Sequence, residues 1–272
     1  NNFIMLGSEM IKLENQSKLI NNGDIYIGYQ DIGGVMTPLT SGGKYSAISV
    51  IGDGSKLINN KHIHVAENQS AVNVVHITDG GEYSDTASST LKINENNSSI
   101  THADRDTGND NKAIFVSGAN SKATVNGLIE LNDIGSTGFW LQNGAQAVLN
   151  GIINLNGQNI KDPNDPTNPA AELSVRNFGA WAVGDGSKFT MNGNAEINMN
   201  ADRAIGVHIR DGASAEINDN AGITFSDKKN QIGFLISGIS QDASISYNSS
   251  QELKLKGEGS VLFRAERGSM FN

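Results

Sequence analysis

The sequence predicts an all-β fold, a right-handed parallel β-helix of three-strand coils of about 24 residues with inserted loops. Three observations carry that prediction. One short string recurs in order: Ala47–Val50 (AISV), Ala71–Val74 (AVNV), Ala113–Val116 (AIFV), Gly138–Leu141 (GFWL), Gly179–Ala182 (GAWA), Ala204–Val207 (AIGV) and Gly233–Ile236 (GFLI). Its spacings are 24, 42, 25, 41, 25 and 29 residues. A second string follows most copies of the first: Ser17–Ile27 (SKLINNGDIYI), Ser55–Val65 (SKLINNKHIHV), Ser121–Leu131 (SKATVNGLIEL), Ala145–Leu155 (AQAVLNGIINL) and Ser187–Asn198 (SKFTMNGNAEIN). Finally, each string alternates apolar with small or polar residues over a few positions, and no window carries an apolar stripe at helical spacing.

The elements follow from the period. A coil of three short strands gives the sequence a reason to repeat, because equivalent residues stack on one another about 4.8 Å apart. Roughly ten such coils would make a rod about 50 Å long. The right hand is the general preference of parallel crossovers. The spacings of 42 and 41 are one coil plus an insertion, carried by residues 98–112 and 157–178, and a third excursion covers 29–45. Three of the four prolines fall in the second insertion, where ladder hydrogen bonds are not required. Nothing resembles a linker, so residues 1–272 read as one β-helix domain. Insertions in repeat proteins project as loops and often build the binding face.

Composition excludes several functions. The chain has 272 residues, a net charge of −9 and no cysteine. Disulfide frameworks, thiolate metal sites and cysteine nucleophiles are therefore ruled out. The acidic balance argues against binding nucleic acid or anionic membrane through bulk charge, and no apolar run is long enough to span a bilayer. No direct membrane insertion of this stretch is expected.

Two groups of residues stand out. Asn22, Asn60, Asn126, Asn150 and Asn192 occupy one position of the aligned strings, which suits a ladder of stacked amides at a turn. On the first string, alternation places Ile48, Val50, Ile114, Val116, Phe139, Leu141, Ala180, Ala182, Ile205 and Val207 inward. It places Ser49, Asn73, Phe115, Trp140, Trp181 and Gly206 outward. Phe115, Trp140 and Trp181 would then stack on the outside of three consecutive coils, next to two insertions. Such rings either form a small satellite core under the loops or present an aromatic platform to a sugar or a partner's side chains. Asp104, Arg105, Asp106, Arg176 and Arg203 are the charged residues expected beside them.

Other chemistry finds less support. Asp104 and Asp106 open like a calcium-binding EF-hand loop, but the later ligands are missing. His62 and His64 share a strand face, which is half of a zinc site with no third ligand to be placed, and they read as an incidental exposed pair. The outward equivalents of Glu130 are Tyr26, His64 and Asn154, so no acidic row supports polysaccharide cleavage. Catalytic residues, metals and cofactors are not expected.

The recurring G-D-G-S-K strings at Gly52 and Gly184 and the N-G pairs at Asn126, Asn150 and Asn192 resemble passenger domains of Gram-negative autotransporters, in the adhesin and pertactin-like branch, from about Lys12 onward. That resemblance implies a β-helix exported through the outer membrane by type V secretion, on the bacterial surface or secreted, with a signal peptide and a C-terminal β-barrel translocator outside this stretch. It implies an adhesin for host extracellular-matrix glycans or proteins, or for a copy of itself. The alternatives are a virulence ligand for a host cell receptor and a β-helix polysaccharide lyase or hydrolase.

Overall fold

Stacked coils need three short strands each, and the chain supplies them. A computed structural model describes residues 3–5, 9–39, 45–67, 69, 71–94, 111–133, 135–157, 176–238, 242–266 and 269–271. Among these residues there is no helix, and the chain is a parallel β-helix of three sheets. Sheet A has eight strands, from Phe3–Met5 and Ile25–Ile27 to Gly222–Phe225. Sheet B has nine longer strands, from Ile11–Leu13 and Tyr45–Ile51 to Val261–Ala265. Sheet C has nine, from Lys18–Asn21 to Ser269–Phe271. Nine rungs make a stack about 40 Å long, slightly shorter than the sequence period suggests.

Inside, identical side-chain types stack. In sheet A the column Ile63, Leu91, Ile129, Ile153, Ile197 and Ile223 runs through successive coils and is almost completely buried. Across from it, sheet B places Gly138, Gly179, Gly206 and Gly233 at one position. The reason is space: a Cβ on Gly179 would lie 2.5 Å from the Gly206 carbonyl oxygen and 2.9 Å from Ile197 Cδ1. Isoleucines of sheet A fill the volume that Gly138, Gly179 and Gly206 leave open, and Phe225 does so at Gly233.

Sheet B strands also turn a corner. In Val72–Thr78 the adjacent Val74 and Val75 both face the core, and Ala113 and Ile114 do the same one coil later. Strict alternation therefore fails at this doublet, and outward residues stand three apart, as Asn73 and His76 do. The register pairs Ile48 with Val75 and Ser49 with His76, so AISV stacks on VVHI and not on AVNV. Likewise Ala180 pairs with Val207 and Trp181 with His208. Ile205 consequently faces out and Gly206 faces in, the reverse of the alternation predicted from AIGV.

The turns explain the recurring polar strings. Gly52, Gly54, Gly184 and Gly186 have positive φ in the corner between sheets B and C. The serine that follows links coils there: Ser187 Oγ donates to the Val183 carbonyl and accepts from Gly144 N–H, at 2.9 and 3.1 Å. At the corner between sheets C and A the expected asparagine ladder forms in separate stretches, broken where the Asn126 amide donates to the Asp85 carbonyl. Asn60 donates to Asn22 and Asn150 to Asn126, at 2.8 and 2.9 Å, and Asn218 donates to Asn192 at 3.0 Å.

All three insertions leave from the remaining corner, between sheets A and B. The first contains an antiparallel hairpin, Tyr29–Ile32 with Val35–Pro38, whose turn is made by Gly33 and Gly34, both at positive φ. The other two connect Thr90–Ile93 to Lys112–Ser117 and Ile152–Leu155 to Phe178–Val183. Their central parts lie outside the described residues.

One inner column is polar at its N-terminal end: Asn21, Asn59 and Asp85 precede Val125 and Leu149. Burial pushes the Asp85 carboxyl up to about 6, against the pull of the Asn126 and Gly127 N–H donors. A raised folded-state value means the neutral acid fits the fold better. Acidification should therefore stabilise the protein through this group as pH falls from about 7, by about 2 kcal/mol at pH 4.5 and approaching about 3 kcal/mol below the unfolded value of about 4. Urea unfolding across that range should show this gain in the wild type and its loss in Asp85→Asn. A second expectation concerns the glycine column: Gly179→Ala should cost about 1–3 kcal/mol in the same assay, because the new methyl meets backbone.

Candidate functional site

The face of sheet B next to the insertions collects most of the distinctive side chains. Three outward columns run along it. The one nearest the insertions contains Asn73, Lys112, Thr137, Phe178, Ile205 and Ile232. The central one contains Ser49, His76, Phe115, Trp140, Trp181, His208 and Leu235. The far one contains Thr78, Ser117, Gln142, Val183, Arg210 and Ser237.

The central column is a stack of rings. His76 lies on Phe115 with centroids 4.7 Å apart and planes 14° from parallel. Trp140 meets Trp181 at 4.5 Å, and Trp181 meets His208 at 5.0 Å. The Lys112 ammonium stands 4.8 Å from the Trp140 ring centre, a cation–π distance. Rings stacked down a ladder occupy one another's faces, so they present edges outward. Trp140 Nε1–H donates to Gln142 at 3.3 Å, and Gln142 donates to Ser117 at the same distance. His76 and His208 each engage a serine, Ser46 at 3.2 Å and Ser237 at 3.0 Å. Burial lowers the His76 pKa, which favours the neutral ring.

The rings divide the face in two. On the insertion side the column is closed: Phe178 is 1%, Ile205 2% and Ile232 5% exposed, and with Leu235 they form a satellite core against which Trp181 packs. On the far side Ser117, Gln142, Val183 and Arg210 remain partly accessible, as do the rings of Phe115, Trp140 and Trp181.

Phe115, Trp140 and Trp181 are brought together on consecutive rungs. Arg176 lies just before Phe178–Val183, and Arg203 in the turn before Ile205–Arg210, where its N–H donates to the Lys229 carbonyl at 2.8 Å and its φ is +60°. Both arginines therefore sit at the insertion corner. Asp104, Arg105 and Asp106 lie outside the described residues. Sequence reasoning missed His76, His208 and Phe178 as parts of this face. The missing signal was the inward doublet, which shifts the register by three residues at His76 and by two at His208.

The other outward surfaces are simpler. On sheet A, Tyr26, His64, Lys92, Glu130, Asn154 and Asn198 share a column, with Lys92 and Glu130 3.9 Å apart. Among the described residues no three His, Cys, Asp or Glu side chains converge on a metal position, and no helix is long and apolar enough to cross a membrane. Comparison with protein-family models, with curated proteins and with solved structures finds no match to the chain.

Packing makes a distinction between the two tryptophans. Trp181→Ala removes a ring held by Phe178, Trp140 and His208 and should destabilise by about 3 kcal/mol in urea unfolding. Trp140→Ala should cost about 1–2 kcal/mol, the smaller effect of a ring outside the satellite core.

Proposed function

We propose that this chain is an exported β-helix of the autotransporter-passenger kind and acts as an adhesin, with the outer face of sheet B as its contact surface. One observation carries the reading. A column of partly accessible aromatic rings runs along a long rigid sheet, bordered by Gln142, Ser117 and Arg210 and adjoining the corner from which all three insertions leave. Aromatic groups set among hydrogen-bonding side chains are the usual anchors of recognition surfaces. The absence of cysteine and the periodic glycine and asparagine turns support export as the setting.

The stacking also bears on the ligand. A sugar platform needs a free ring face, and here His76 stacks on Phe115 while Lys112 and Trp181 pack against Trp140. Ring edges with flanking amides suit a protein surface, or the hydroxyl-rich edge of a matrix glycan. Binding to host extracellular-matrix protein or glycan is the reading adopted; a host-cell receptor or a second copy of the chain would be met by the same face.

The test is a panel of matrix proteins and glycans probed with the wild type and with Phe115→Ala/Trp140→Ala. The double variant should bind the wild-type ligand at least about tenfold more weakly, with an unchanged β-rich circular dichroism spectrum. Undiminished binding by the double variant, or no binding by the wild type anywhere on the panel, would contradict the proposal.

A further inference from the structure

The five histidines are not alike. His76 and His208 use a ring nitrogen on a serine hydroxyl. Among the described residues, no hydrogen-bond partner meets a ring nitrogen of His62 or His64. They stand two apart at the Ile63–Val65 strand of sheet A, on one face, with ring centroids 5.9 Å apart. His64 is stacked on Tyr26 at 5.0 Å and 18°. Stacking occupies the ring face, while the nitrogen lone pairs lie in the ring plane and stay available.

The spacing suits chelation. A metal ion about 2.0–2.1 Å from one nitrogen of each ring lies about 3.2 Å from each ring centre, a reach that spans the 5.9 Å between the two centroids. The register supplies the surroundings. Asp24 stands beside His62 on the preceding rung and accepts its backbone N–H at 3.3 Å, and Tyr26 stands beside His64. On the next rung Lys92 faces His64 and leans toward Glu130. Tyr29 closes the group, edge-on to Tyr26 and hydrogen-bonded to Asn94.

We propose that His62 and His64 form a surface chelate for a divalent transition-metal ion that prefers imidazole, Zn²⁺ or Cu²⁺, with Asp24 adding negative charge and water completing the coordination. This site lies on sheet A and is independent of the sheet B face. Imidazole pairs favour Cu²⁺ over Zn²⁺.

Equilibrium dialysis of tag-free protein with Zn²⁺ or Cu²⁺ alone tests this. One ion should bind per chain at neutral pH. Electron paramagnetic resonance of the Cu²⁺ form should show coupling to two imidazole nitrogens. His62→Gln and His64→Gln should each weaken binding by roughly tenfold or more, and Asp24→Asn by less. Failure of the wild type to bind either ion, binding that survives His62→Gln/His64→Gln, or a Cu²⁺ spectrum without imidazole coupling would overturn it.

Discussion

The coils of this molecule depend on one constraint: each strand of the three sheets hydrogen-bonds, parallel and in register, to the strand one coil away, about 4.8 Å along the axis. Side chains at one position of a coil must then tolerate their counterparts above and below. Apolar residues meet apolar residues inside, as in the isoleucine column of sheet A. Asparagines pass hydrogen bonds from coil to coil at the corners. The glycine column of sheet B is the same rule applied to volume, since backbone, isoleucine tips and the Phe225 ring already fill the space a side chain would need.

On the surface this constraint sorts chemistry into stripes. Sheet B presents an apolar strip that closes over near the insertions, a stack of rings, and a partly open polar strip of Ser117, Gln142 and Arg210. A stack of rings is rigid and holds little side-chain entropy to lose on contact. An adhesive face built this way would keep its shape on a rod only nine rungs long. Sheet A carries a different stripe, in which His64 is stacked on Tyr26 and stands beside His62.

Much of this was legible in the sequence. Period and alternation gave the β-helix, the asparagine ladder and the outward column of Tyr26, His64, Glu130 and Asn154. Phe115, Trp140 and Trp181 could be aligned because GFWL and GAWA lie in the same phase. His76 and His208 could not. AVNV and AIGV imitate the repeat three and two residues out of phase, and alternation alone cannot see that Val74 and Val75 both turn inward at a corner. The hairpin at Tyr29–Pro38 was read only as an excursion, although Gly33–Gly34 between short apolar runs is a hairpin signal.

The register of sheet B is the claim on which the contact face rests, and the absence of native cysteine makes it directly measurable. Cysteines placed at His76 and Phe115 would face each other on adjacent rungs, within the Cα separation a disulfide requires. Oxidation should cross-link that pair readily and leave the pair Asn73 and Phe115 as free thiols. Efficient cross-linking of Asn73 with Phe115, with His76 and Phe115 unreacted, would contradict the account.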